Sequence, residues 1–328
     1  MKIAITGGTG FVGRRLVASH AVAGDAVHVL SRQPMADGAG VRYFQGDLCG
    51  ADDRPIQEFL KGVDVLYHCA GESRDTSMMR RLNVDGTRGL LNLAVRVAEK
   101  RERPIHWVQL SSVCVYGLPK ELRTIDRVVT ETTSGVPVSA YEVTRTESDR
   151  LVEAAAKSGA LTFSILRPSK ILGAETRDPS LQMLIKLIRK GMFFYVGQPG
   201  AIATYVHVDD VVAALIKCGT DARAKGQIYN LSSDCPLEGM IHGISDALGV
   251  NSSRIRFPEN LVRGLVKAVS CIVPLPLTQE RINGLVRRTT YSTAKIEREL
   301  DFKISRKVPD VMRELGFNFG VSAEAGLK

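Results

Sequence analysis

The amino-acid sequence predicts an α/β fold, a doubly wound parallel sheet carrying a smaller C-terminal lobe. Three observations predict it. Through the first half, short apolar stretches alternate with longer amphipathic ones, the pattern of repeated strand–helix–strand units on a parallel sheet. Gly7, Gly10 and Gly13 separate the first apolar stretch from the first helical one. After Arg167 the rhythm becomes shorter and looser.

Taken in order, strands are expected near Lys2–Thr6, Ala26–Ser31, Val41–Gln45, Val63–His68, Ile105–Leu110 and Leu161–Arg167, each a brief apolar run with a helical segment between it and the next. Two of the helices are long, Ser77–Lys100 and Ala140–Ser158. Beyond Arg167 a helix is expected over Ser180–Lys190, followed by the turn GQPGA. The segment TYVHVDDVVAALIKC then reads as strand, Asp209 cap and helix. A strand at Gln227–Leu231 and further short helices complete the chain. Residues 1–168 with 203–232 are expected to form the sheet domain, and 169–202 with 233–328 the lobe. No internal repeat or low-complexity stretch interrupts this order.

The 328 residues are 44% hydrophobic and 24% charged, as in an ordinary globular protein. The formal net charge of +9 is spread over basic residues interleaved with acids, so no basic stripe points to nucleic acid, and phosphorylated small molecules fit better. The six cysteines show no CxxC spacing, read as free thiols, and suggest no metal site. MKIAITGG passes straight into a strand and a glycine turn, which leads us to expect no signal peptide and a cytoplasmic protein. The longest apolar tract, Leu261–Leu277, is broken by Arg263, Lys267 and two prolines, so no membrane span is expected. As a basic amphipathic stretch, Asn260–Leu277 fits a helix covering the lobe or one lying on a membrane surface.

The turn AITGGTGFVGRRL opens a strand–turn–helix unit. Glycines there let the backbone pass close to a pyrophosphate, and the first helix amides favour its negative charge, as in a Rossmann-like dinucleotide site. In such a site the end of the second strand meets the adenine ribose. VHVLSRQ offers Arg32 and no carboxylate, which favours the 2′-phosphate of NADP, with NAD as the alternative.

With its G-x-x-G-x-x-G spacing, the chain resembles the extended branch of the short-chain dehydrogenase/reductase superfamily, whose members act on nucleotide sugars. The resemblance runs from about residue 1 to 316, strong in the first part and looser in the second. It implies that Gly7, Gly10, Phe11, Val12 and Gly13 contact the cofactor, that Asp47 and Leu48 of GDL meet its adenine, and that Ala70 and Gly71 of HCAG line its ribose and nicotinamide side. Pro168 of LRPSKILG joins them. NVDGT at Asn83–Thr87 matches the family's long-helix motif, while His68 reads as a residue packed beneath the turn.

LSSVCVYG ends the fifth strand, and Ser112 falls where this branch carries its active-site Ser or Thr. Tyr141 falls where it carries the Tyr that exchanges a proton with a substrate hydroxyl or ketone. The family's Lys, one turn on, holds the nicotinamide ribose and favours the phenolate, but here that position is Arg145. A cation is kept and its compact geometry is lost. Read alone, Tyr141 and Arg145 are a solvated surface pair on one helix face.

On the substrate side, Ser112 would hold the reacting oxygen. Lys170, standing where an Asn is common, would either meet a phosphate or be solvated. Arg281, Arg287 and Arg288 are candidate diphosphate ligands or an exposed basic helix. The resemblance implies a nucleotide diphosphate sugar as partner and hydride transfer at a sugar carbon, most often C4 in this branch, by an epimerase or a ketoreductase. Reduction of a hydrophobic ketone is the alternative should the lobe be apolar, and a cofactor-binding sensor is the non-enzymatic one. Pairing of two copies through the two long helices is a family habit.

Overall fold

The computed structural model describes residues 1–38, 40–117, 124–176, 178–269 and 277–325. Seven strands form one parallel sheet: β1 (Lys2–Thr6), β2 (Ala26–Ser31), β3 (Val41–Gln45), β4 (Val65–His68), β5 (Ile105–Leu110), β7 (Leu161–Pro168) and β11 (Gln227–Leu231), in the order β11-β7-β5-β4-β1-β2-β3. Between β5 and β7 in the chain lies β6 (Arg127–Val129), which is outside this sheet. β4 and β5 are buried along their whole length, whereas edge strand β3 is mostly open. Helices on both faces cause this, and it explains why the central strands read as continuous apolar runs.

One face is covered by α1 (Gly13–Val22) through Leu16 and Val17, by α7 (Val208–Thr220) through Val211 and Leu215, and by α11 (Ala294–Leu300) through Ile296 and Leu300. The other is covered by α2 (Arg54–Leu60), α4 (Thr87–Lys100) and α5 (Ala140–Ala156) through Phe59, Leu90, Leu91 and Val152. α11 thus packs on the sheet although it lies within the stretch that the sequence boundary gave to the lobe. The expected helix over Ser77–Lys100 is divided: α3 (Thr76–Arg80) leads into a π-helical turn at Arg81–Gly86 before α4 begins. Single π turns of this kind often stand at functional sites.

The lobe has its own small sheet. β10 (Ile202–His207) lies between β8 (Lys170–Leu172), parallel to it, and β12 (Ser233–Pro236), antiparallel. α6 (Pro179–Arg189), α8 (Leu237–Ala247) and α12 (Val308–Ala325) enclose a second core with Leu181, Ile185, Met240, Ile244 and Met312. β9 (Tyr195–Val196) pairs with β13 (Arg256–Phe257), and β14 (Thr289–Tyr291) pairs with β6. α9 (Glu259–Val269) buries Val262 and Val266 against α10 (Gln279–Val286) and leaves Leu261 and Leu265 exposed. The rest of the tract expected to be amphipathic, 270–276, lies outside the described residues.

The cap of α7 is not Asp209. His207 holds the N-cap position, its Nδ1 accepting from the Asp209 amide at 3.2 Å, because the helix starts two residues earlier than an Asp209 cap requires. Asp209 is exposed and faces Arg15 and Arg306. The buried neighbour Asp210 takes the Ser305 amide at 2.9 Å, the Ser305 hydroxyl at 2.6 Å and the Arg306 amide at 3.2 Å, which ties α7 to the segment after α11.

Candidate functional site

β1 has β2 on one side and β4 on the other, so the chain changes direction there and the loops after β1 and β4 open a crevice at the carboxyl edge. Gly7 has φ +67°, and a Cβ on it would lie 2.7 Å from the Ala70 nitrogen, so the two loops touch through backbone alone. At Gly13 a Cβ would lie 2.1 Å from the Gly7 carbonyl oxygen, which lets α1 start flush against the turn. α1 has no acidic residue in its first turn and no side-chain cap, leaving its first amides and positive dipole end for an anion.

Gly10 is exposed at this opening. Val12 belongs to the core, so what it offers a bound molecule is backbone. Phe11 is half-buried, with the Arg15 guanidinium 5.3 Å from its ring centre. Arg32 and Asp47 are exposed at the ends of β2 and β3, and Asp47 Oδ1 accepts from the Cys49 amide at 3.0 Å. Leu48 packs on the α4 side of the core.

Beneath the crevice His68 is buried, as its place in an apolar strand implies. Its Nδ1 accepts from the Thr6 hydroxyl at 2.7 Å and its Nε2 donates to Thr87 Oγ1 at 3.0 Å, since Thr87 spends its own proton on the Asn83 carbonyl at 2.8 Å. Burial, with Arg145 nearby, drops its pKa from 6.5 to about 3, so the ring is neutral. Asn83, in the π turn, accepts from the Glu72 amide at 2.8 Å. Its Nδ2 donates to the Glu72 carbonyl at 2.9 Å and to Thr144 Oγ1 at 3.3 Å. One side chain therefore fastens the loop after β4 to α5. The motif NVDGT was visible in the sequence; this fastening role was not.

α5 begins with a capping box in which Ser139 and Glu142 satisfy each other's backbone amides. That start places Tyr141 in the first turn and Arg145 one turn below it, the guanidinium carbon 5.7 Å from the phenol ring centre. Arg145 is 6% exposed, which removes the reading of the pair as a solvated surface pair. Among the described residues its Nε and Nη1 have no hydrogen-bond partner. Burial opposes the cation, yet Tyr141, Cys114 and Asp149 together hold its pKa above the ordinary arginine value. One turn further, buried Asp149 accepts from Arg167 Nε at 3.0 Å, and burial pushes its carboxyl up against the pull of Arg167. Arg167 Nη1 also donates to the Tyr116 hydroxyl at 3.0 Å, which donates to Asn230 Oδ1 at 2.8 Å.

Ser112 Oγ accepts from the Cys114 amide at 3.2 Å and keeps its own proton for donation. Ser112, Tyr141 and Pro168 line a cavity of about 1040 Å³ between sheet and lobe. From the lobe it is lined by apolar Leu184, Leu187, Phe194, Met240, Leu277 and Leu285, from α6, the segment after it, α8 and the α10 region, with Ser180, Thr204, Thr278 and Glu280 among them. Lys170 reaches the cavity but is ion-paired with Asp178 and lies 5.9 Å from the Tyr205 ring centre. Arg281 and Arg287 line it as well, whereas Arg288 turns to Asp126 and the Pro199 carbonyl, each at 2.7 Å.

The description NAD-dependent epimerase/dehydratase family matches residues 3–232. The chain belongs to this family. Human sterol-4-alpha-carboxylate 3-dehydrogenase, decarboxylating, is 28% identical over 247 residues, 72% of this chain and 63% of the relative; the chain thus spans less than two thirds of that relative's length. A 4-hydroxy-2-methyl-3-oxo-4-farnesyl-3,4-dihydroquinoline-1-oxide ketoreductase of Stigmatella aurantiaca is 27% identical over 318 residues, 92% of each chain. Among solved structures, the UDP-glucuronic acid 4-epimerase of Bacillus cereus in complex with NAD shares the fold, with TM-score 0.72, 17% identity and coverage of 97% and 96%.

As in other members of the epimerase/dehydratase family, the crevice fits a nicotinamide dinucleotide. The glycine cradle admits a pyrophosphate at the start of α1, and the two unpartnered buried donors of Arg145 fit ribose hydroxyls. Among the described residues no group of three or more His, Cys, Asp and Glu could hold a metal, and no helix is long and apolar enough to cross a membrane.

Proposed function

We propose that this chain is an NADP-dependent oxidoreductase acting at a hydroxyl or ketone carbon of a bulky apolar molecule. The observation that carries this reading is the set of apolar lobe side chains that share with Ser112 and Tyr141 one cavity of about 1040 Å³. That volume suits a ligand at the large end of the usual range. For the nucleotide-sugar reading, Lys170, the cation expected to meet a phosphate, is already paired with Asp178. The names of the sterol dehydrogenase and the farnesyl-bearing ketoreductase agree with an apolar substrate.

When bound, the nicotinamide ring gives or takes a hydride at the reacting carbon. Tyr141 exchanges the proton of the reacting oxygen, and Ser112 donates a hydrogen bond to the same oxygen while keeping its proton. Arg145 holds the nicotinamide ribose with Nε and Nη1, and its charge favours the phenolate that results when Tyr141 gives up its proton. Arg32 pairs with the 2′-phosphate. Asp149, one turn further along α5 and tied to Arg167, adds to the field that keeps Arg145 charged.

A second reading, hydride transfer on a nucleotide diphosphate sugar, is favoured by Arg281 and Arg287 in the cavity wall. One panel separates the two: steroidal and prenylated alcohols and ketones, and UDP- and dTDP-sugars with their 4-keto forms, each with NADP(H) and NAD(H). Turnover of the apolar compounds, lost in Tyr141→Phe, is expected. Turnover of the sugars alone establishes the second reading, and binding of NADPH without any turnover establishes the sensor.

A further inference from the structure

Gly71 follows β4 in the segment HCAG, 74 positions before Arg145 by their numbers. Its backbone does not need glycine, since its φ is not among the positive ones. What the missing side chain provides is space. A Cβ at Gly71 would stand 2.8 Å from Arg145 Nη2, 3.1 Å from Cζ and 3.1 Å from Nη1, so the flat guanidinium lies directly over the glycine. Separations this small force something to move.

The backbone side of the gap is held, so the guanidinium is the part that must give. Asn83 fastens Glu72, next to Gly71, and Thr144, next to Arg145, through the same amide. The guanidinium is buried, and Asp149, one turn further along α5, is locked by Arg167 at 3.0 Å. The planar fork therefore has one slot, bounded by glycine on one side and Tyr141 on the other. A lysine ammonium is a single atom on a slender stem and needs no such slot.

We propose that Gly71 is the positioning residue that admits arginine at position 145, and that the two work as a pair in presenting Nε and Nη1 to the cofactor ribose. The cofactor half of this statement rests on the proposed function above; the packing half does not. Gly71→Ala is expected to tilt the guanidinium and take those donors off line, while Arg145→Lys removes the conflict.

Four proteins test it: wild type, Gly71→Ala, Arg145→Lys and the double variant. NADPH dissociation constants are read by fluorescence titration without substrate, and thermal midpoints are read on the free proteins. Gly71→Ala should weaken NADPH binding about tenfold in the arginine chain and less than about twofold in the lysine chain. It should also lower the midpoint only in the arginine chain. An equal penalty in both backgrounds, or none in either, overturns the pairing. If no variant binds NADPH, the proposed function fails, and the midpoints alone still uphold or overturn the packing pair.

Discussion

The wall that carries Ser112, Tyr141 and Arg145 differs from the lobe wall, carried by α6 and α8, in how its residues are held. On the sheet side polar contacts hold the frame: Ser112 through the Cys114 amide, the start of α5 through its capping box, and Asp149 below Arg145 through the row Arg167, Tyr116 and Asn230. On the lobe side Leu184, Leu187 and Met240 are placed by packing alone, on helices that enclose a separate core. Directional contacts fix atoms to tenths of an ångström, as proton transfer requires, whereas packing fixes a shape and a polarity. We read the first wall as setting the reaction and the second as selecting the molecule.

That division is exposed to four tests. The largest effect is expected from Tyr141→Phe, which should cut kcat roughly a thousandfold while leaving the NADPH dissociation constant unchanged. Comparable turnover in the variant would remove Tyr141 from the chemistry. Next, Leu184→Gln should lower kcat/KM for an apolar ketone roughly tenfold to a hundredfold by placing an unpaired amide against it. Cofactor affinity should not change, and a fall in both would show that the two walls are not separable.

A smaller shift is expected at the far end of the crevice. Arg32→Ala should weaken NADPH binding roughly tenfold and leave NADH unaffected, the size of one charge-assisted contact. Equal losses for the two nucleotides would contradict the 2′-phosphate role. At neutral pH the least visible change is at His68. Its folded pKa lies far below its unfolded value of 6.5, so its contribution is complete above that pH and is lost as pH falls toward about 3. The unfolded chain takes up a proton that the buried ring refuses. Urea midpoints of the wild type should drop through this window, and those of His68→Gln should drop less; parallel curves would mean that His68 does not govern acid stability.

Much of the sheet side was legible because its signals are local. The strand, the glycine turn and the helix start follow one another within the first 22 residues, and five of the six expected first-half strands begin at the observed residue. Tyr141 and Arg145 share a face because one helical turn puts them there. The cap of α7 was misread because an Asp beside a helix start looks like a cap wherever it stands, and only the backbone angles of His207 show where the helix begins. The apolar cavity wall was not legible, since its residues come from α6, α8 and the α10 region, and each of those segments reads simply as an amphipathic helix covering something.

By itself the sequence determined the alternation of elements, the anion-accepting turn and the phenol–guanidinium pair, all products of spacing along one chain segment. The tertiary structure alone decided that Gly71 lies under Arg145, that Asn83 binds the loop after β4 to α5, and that apolar lobe side chains share a cavity with the phenol. The reason is physical: backbone geometry and helical period act over a few residues, whereas the room beside a buried side chain depends on whichever distant segment packs there.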